Sequence, residues 1–179
     1  DYVELDSTIF GKSMSLCKEE RFYDQPNPAF CSGFLIGPNT MITAGHCIQS
    51  QDACNSTSFV FGYSVYEKGE YPKFVPKADV YSCETLIKTK ADPKGADFAV
   101  IKLSRKVENI TPLTIRDSAE PAPGDPLVVI GHPSGLPTKV ANGSKIRTIE
   151  NGYFTANLDT YGGNSGSAVF NETTGVVEG

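Results

Sequence analysis

Three features of the sequence predict an all-β fold. Short runs rich in Val, Ile, Phe, Tyr and Thr recur along the chain, which are the residues that suit a pleated, half-buried surface. Gly, Pro, Asn and Asp separate these runs, and the chain carries 17 Gly and 12 Pro in 179 residues, enough for many turns. Helical periodicity is weak throughout. In chain order the strand candidates are "AFCSGFLIG" and "NTMITAGHC", parted by a Gly-Pro-Asn stretch, then "SFVFGYSVY", "DVYSCETLIK" and "DFAVIKL". After them come "PLVVIGHP", "SKIRTIENG", "GYFTANL", "GSAVFN" and "TGVVEG". The segment "TAGHCIQSQDAC" has room for one short helical turn at most. Residues 111–126, "TPLTIRDSAEPAPGDP", hold four prolines and few strand formers, so they read as a linker between a longer first part and a shorter second part. The pattern fits a barrel or a sandwich, and it contains no repeat.

Charge and cysteine usage narrow the class. The net charge is −5, the sequence pI is about 5.0, and there is no basic run, so neither nucleic acid nor an anionic membrane is indicated as a partner. The longest apolar stretches are strand-sized, too short to span a bilayer. No signal peptide stands at Asp1, as expected of a mature secreted chain. Five cysteines occur, Cys17, Cys31, Cys47, Cys54 and Cys83, with no CxxC pair and only two histidines, a poor set for zinc. Disulfides explain them better and imply an oxidising, extracytoplasmic location, either outside the cell or in the periplasm. The competing account is a set of reduced core cysteines in a cytosolic protein. An odd count leaves one thiol free or paired outside the chain. Asn-x-Ser/Thr sequons begin at Asn55, Asn109, Asn142 and Asn171, which would be surface glycan sites in a eukaryotic secretory pathway.

The stretch "YGGNSGSAVF", residues 161–170, sets Ser165 between small residues ahead of an apolar run. A serine hydroxyl becomes a nucleophile only beside a base, which needs an acid to fix its tautomer. Backbone N–H groups must also face the developing oxyanion. The base is either His46, in "MITAGHC", or His132, in "VVIGHPSG". Asp97 opens the apolar run "DFAVIKL"; it is either an exposed strand-end residue or a buried carboxylate that accepts from an imidazole.

In the order His, Asp, Ser, the segments "TAGHC", "DFAVIKL" and "GGNSGS" resemble those of the chymotrypsin-fold, or trypsin-like, serine proteases. The likeness runs over about residues 28–179, and "GGNSGS" resembles the bacterial glutamyl-endopeptidase branch. This resemblance implies two six-stranded antiparallel Greek-key β-barrels, a lobe of residues 1–112 with the His and Asp and a lobe of residues 113–179 with the Ser. It implies His46 as general base, Asp97 as its orienting acid and Ser165 as nucleophile. The N–H groups of Gly163 and Ser165 would form the oxyanion hole, and Cys31–Cys47 the disulfide of the histidine loop. Asn164 stands where digestive relatives carry an Asp that pairs with a new amino terminus, and it cannot make that ion pair. Asp159, six residues ahead of Ser165, and its neighbour Thr160 fall at the substrate pocket. An acid there implies cleavage after Arg or Lys. The chemistry needs neither metal nor cofactor. The expected partner is a protein or peptide substrate. Family members continue past the equivalent of Gly179 with a pocket-wall strand, so a C-terminal fragment held to the chain is a further expected partner. The rival readings are a protease-like binding or adaptor protein with impaired catalysis and a disulfide-stabilised ligand-binding sandwich. The second explains neither the order nor the content of the three motifs.

Overall fold

The computed structural model describes residues 1–93, 95–150 and 152–179. It consists of two curled antiparallel half-barrels, as the all-β reading expects. The first is a five-stranded sheet built from β2 (Gly33–Gly37), β3 (Thr40–Thr43), β4 (Ser58–Val60), β6 (Val80–Ala91) and β7 (Asp97–Leu103), in the order β2-β3-β7-β6-β4. The second holds β8 (Pro126–Gly131), β9 (Lys139–Glu150), β10 (Tyr153–Ala156) and β11 (Ala168–Asn171), in the order β10-β9-β8-β11. A separate ladder joins β1 (Tyr2–Glu4) to β5 (Phe74–Pro76). Among the described residues, α-helix is confined to α1 (Phe10–Ser13) and α2 (Gln51–Asn55), with single 3-10 turns at Lys77–Asp79 and Pro133–Gly135, and α2 falls in the one segment read as capable of a helical turn. Its N-cap is Ser50, whose hydroxyl accepts from the Ala53 N–H at 3.1 Å. Among the described residues, no helix is long and apolar enough to cross a membrane.

Period-two burial explains the sheets. Along β7, Ala99, Ile101 and Leu103 are buried while the residues between them are less so. They pack with Leu35, Met41, Ile48, Tyr81 and Val107 in the first core. Each fully buried aliphatic side chain contributes roughly 1.5–3 kcal/mol. In the second half Leu127, Val129, Ile146, Ala168 and Val177 play the same part. Where β4 ends its pairing with β6, Gln51 takes over the edge: its Oε1 accepts from the Leu86 N–H at 2.8 Å and its Nε2 donates to Glu84 O at 3.4 Å. A side-chain amide thereby stands in for a strand, satisfying backbone groups that would otherwise be open.

The 111–126 stretch is the crossover. Leu113 N–H still donates to Leu35 O in the first half, at 2.8 Å, while Ile115 already bridges Val177 in the second. Cys31–Cys47 forms as the resemblance implies. A second bridge, Cys54–Cys83, which the sequence left unpaired, ties α2 to β6, and Cys17 is free and exposed. Closing loops of 16 and 29 residues contributes about 3–4 kcal/mol apiece.

One surface expectation fails. Asn171 is only 5% exposed, and its Oδ1 accepts from the N–H groups of Thr173 and Thr174, at 3.0 and 3.1 Å. It caps the turn after β11, so it is no glycan acceptor; Asn55, Asn109 and Asn142 are exposed.

Candidate active site

The sheet register brings His46 and Asp97 together. β3 pairs with β7 so that Thr43 faces Ala99, which puts the residues just after β3 and those opening β7 at one end of the sheet. Ala44 and Gly45 carry the chain across that end. A Cβ on Gly45 would collide with the backbone carbonyl of Lys90, so only glycine allows the turn to lie this close to β6. Ile48, 1% exposed, anchors the far side of the turn in the core.

The Asp97 carboxylate grips His46 twice. Oδ2 accepts from Nδ1 at 2.6 Å, and Oδ1 accepts from the His46 backbone N–H at 2.9 Å. An ionised carboxylate can only accept, so Nδ1 carries the proton and Nε2 keeps its lone pair. Partial burial works against the Asp97 charge, but the two hydrogen bonds and the attraction of His46 outweigh it, and the carboxyl is held below its ordinary value. The imidazole is half-exposed, open to an incoming group.

Ser165 arrives from the other half-barrel. Its carbonyl accepts from the Ser32 N–H at 2.8 Å and lies 3.9 Å from Cys47 Sγ. A His46 ring nitrogen and the sulfurs of Cys31 and Cys47 lie within 4.8 Å of one another, so the disulfide is the hub between histidine and serine segments. That trio is the one cluster of metal-ligand type among the described residues, and its two sulfurs are spent on each other. The glycine after the nucleophile fixes the approach. Gly166 has φ of +84°, and a Cβ there would run into Ser32 O, Thr43 Oγ1 and Ala44 N.

The turn ahead of Ser165 is held from outside. Gly163 has φ of +92° and packs its Cα against the 132–135 turn. Asn164 Oδ1 accepts from Ser167 Oγ at 3.1 Å, while Asp1 lies beside Lys77 in the first half. Among the described residues, neither the Gly163 nor the Ser165 N–H donates to any acceptor. Asp159 and Thr160 are exposed, in an irregular segment between β10 and the Gly162 turn. Tyr161, next to them, is 70% exposed.

The other histidine is placed elsewhere. The His132 ring stacks on Tyr63 with centroids 5.7 Å apart, and its Nδ1 donates to Leu136 O at 3.0 Å. Burial pushes its pKa down from 6.5; the Leu136 carbonyl favours the charged form, but nearby Lys139 adds to the depression. In the native protein His132 therefore resists the proton that the unfolded chain accepts. Its stabilising neutrality is complete above 6.5 and is lost as pH falls through that value toward the lower folded pKa. Thermal melting should accordingly drop between pH 7.5 and 5.5, and His132→Gln should flatten that limb; a wild-type profile as flat as the variant's contradicts the assignment.

Two participants went unassigned in the sequence. Ser32, 6% exposed, and the Pro133–Gly135 turn both touch the serine loop. Ser32 stands in "CSG" beside the predicted disulfide, yet a serine between cysteine and glycine carries no distinctive signal.

The chain is 28% identical over 149 residues to a glutamyl endopeptidase of Bacillus licheniformis, covering 80% of this chain and 46% of the relative. It is 31% identical over 149 residues to an extracellular metalloprotease of Bacillus subtilis, covering 78% and 45%. The chain thus spans about half the length of these curated relatives. A solved Glu endopeptidase superposes with a TM-score of 0.63 at 20% identity, covering 82% of this chain and 70% of that one, a likeness of fold. The sequence model described as "Trypsin-like peptidase domain" matches residues 31–179, and the chain belongs to that family.

Proposed function

We propose that the protein is a secreted serine endopeptidase acting through an acyl-enzyme. The observation that carries this reading is the double grip of Asp97 on His46, at 2.6 and 2.9 Å, at the end of the sheet where Ser165 docks. In this reading Nε2 takes the Ser165 proton as Oγ attacks the substrate carbonyl. The N–H groups of Gly163 and Ser165 stabilise the oxyanion, Asp97 stabilises the imidazolium, and His46 then gives its proton to the leaving amine. Water repeats the sequence to release the acid. The two lobes divide at residues 112 and 113, with the site in the cleft between them. Two disulfides support an extracytoplasmic location. A protease-like binding protein is the rival, and the pairing of Asp97 with a half-exposed His46 weighs against it.

For specificity, Asp159 and Thr160 are assigned to the pocket, and the Asp159 carboxylate selects Arg or Lys at the residue before the cut. A second reading rests on the relatives named glutamyl endopeptidases, from which cleavage after Glu would carry over. A fluorogenic peptide panel varying that residue decides between them. We expect fastest hydrolysis after Arg or Lys, with the preference lost in Asp159→Ser. A preference for Glu replaces the Asp159 assignment, and failure to cut any peptide refutes the peptidase reading.

A further inference from the structure

A trans peptide points its C=O and N–H in opposite directions, so whatever holds a carbonyl also aims the amide of the following residue. The Gly163 amide shares its peptide with Gly162 O, which accepts from the Ser134 N–H at 2.5 Å. The Ser165 amide shares its peptide with Asn164 O, which accepts from the Ser167 N–H at 2.8 Å. Both donor amides are thus turned away from a pinned carbonyl. The peptide between them is held at both ends: its N–H donates to Tyr161 O at 3.1 Å, and Gly163 O accepts from Ser32 Oγ at 2.8 Å. Of the three carbonyls, Gly163 O is the one held by a side chain.

Ser32 does more than this. Its Oγ accepts from the His132 N–H at 2.9 Å, at the start of the turn that carries Ser134. Its N–H donates to Ser165 O at 2.8 Å, and its carbonyl accepts from Thr43 Oγ1 at 2.6 Å. Its single hydroxyl proton and one lone pair are both used, within a residue 6% exposed. The segment it clamps has little stiffness of its own: Gly162 and Gly163 are adjacent, and Asn164, being neutral, supplies no ion pair.

We infer that Ser32 is a positioning residue for the oxyanion hole, its hydroxyl locking the Gly163–Asn164 peptide and the Ser134 turn so that the two flanking amides face the substrate carbonyl. This rests on the peptidase reading above. It acts on turnover and not on binding, because the oxyanion exists only in the transition state. It leaves the His46–Asp97 pair untouched.

The test compares Ser32→Ala and Ser32→Thr with the wild-type chain, using a peptide ester and correcting for folded fraction by near-UV circular dichroism. Loss of one oxyanion donor typically costs about 10²–10³ in turnover. For Ser32→Ala we expect a fall in kcat of about 10²-fold with KM within about twofold, and an unmoved midpoint in the pH profile of kcat/KM. Ser32→Thr, which keeps the hydroxyl, should recover most of the loss. If Ser32→Ala does not fold, Ser32→Cys, close in volume and a weak donor, is read by the same criteria. The inference is overturned if kcat per folded molecule is unchanged, if Thr fails to rescue a folded variant, or if the pH midpoint moves. A wild-type chain inert to the ester and to a fluorophosphonate overturns the peptidase reading itself, and the inference falls with it.

Discussion

Ser165→Ala is expected to lower peptidase and esterase turnover by on the order of 10⁶-fold, the scale seen when a serine nucleophile is removed. The residual rate would come from substrate binding and the oxyanion donors alone. The fold should survive, for a physical reason: among the described residues the Ser165 side chain makes no hydrogen bond, while its backbone carbonyl keeps the tie to Ser32 at 2.8 Å. Gly166, which sets the close approach to Thr43 and Ala44, is untouched, as is Gly163 against the 132–135 turn. Melting temperature and near-UV circular dichroism should therefore match the wild type, with activity measured on both peptide and ester. A variant that keeps more than a few per cent of wild-type turnover removes Ser165 from the chemistry.

Asp97→Asn should cost about 10⁴-fold in kcat, the magnitude associated with a reversed imidazole tautomer. A carboxylate obliges Nδ1 to carry the proton, whereas an amide can turn its NH₂ toward Nδ1. The proton then sits on Nε2, the atom that must accept from Ser165. The remaining Asn oxygen can still take the His46 N–H, now 2.9 Å from Oδ1, so the turn stays in place. Asp97→Ala removes both contacts and should loosen the His46 turn as well. Steady-state kinetics with a matched thermal melt separates the two effects. Turnover within about tenfold of wild type in Asp97→Asn, with an intact fold, would show that the tautomer does not matter here.

The site was legible where a few adjacent residues carry the chemistry. Asp97 was left between an exposed strand end and a buried imidazole partner; its carboxylate proves to be both partly exposed and bonded to His46. The choice of His46 over His132 rests, in the sequence, on the likeness of "TAGHC" to the family's histidine segment; the structure separates the two by burial, with His132 packed on Tyr63 and bonded to Leu136. Strand existence was readable from β-branched runs, yet the β1–β5 ladder was not, since "YVE" and "FVP" are too short to carry a period. Cys54–Cys83 depends on α2 lying across β6, a contact between residues 29 apart that no local pattern encodes. Ser32 escaped for the same reason. The partners of its hydroxyl are Gly163 and His132, both at least 100 residues away.

The central claim is that Ser165 is an activated nucleophile. The most direct measurement is incubation of the whole chain with a fluorophosphonate, followed by intact mass and peptide mapping. The account predicts one adduct per molecule, on the peptide containing "GGNSGS", absent from Ser165→Ala and strongly slowed in Asp97→Asn. A folded protein that takes up no adduct, or takes it up at another residue, would contradict it.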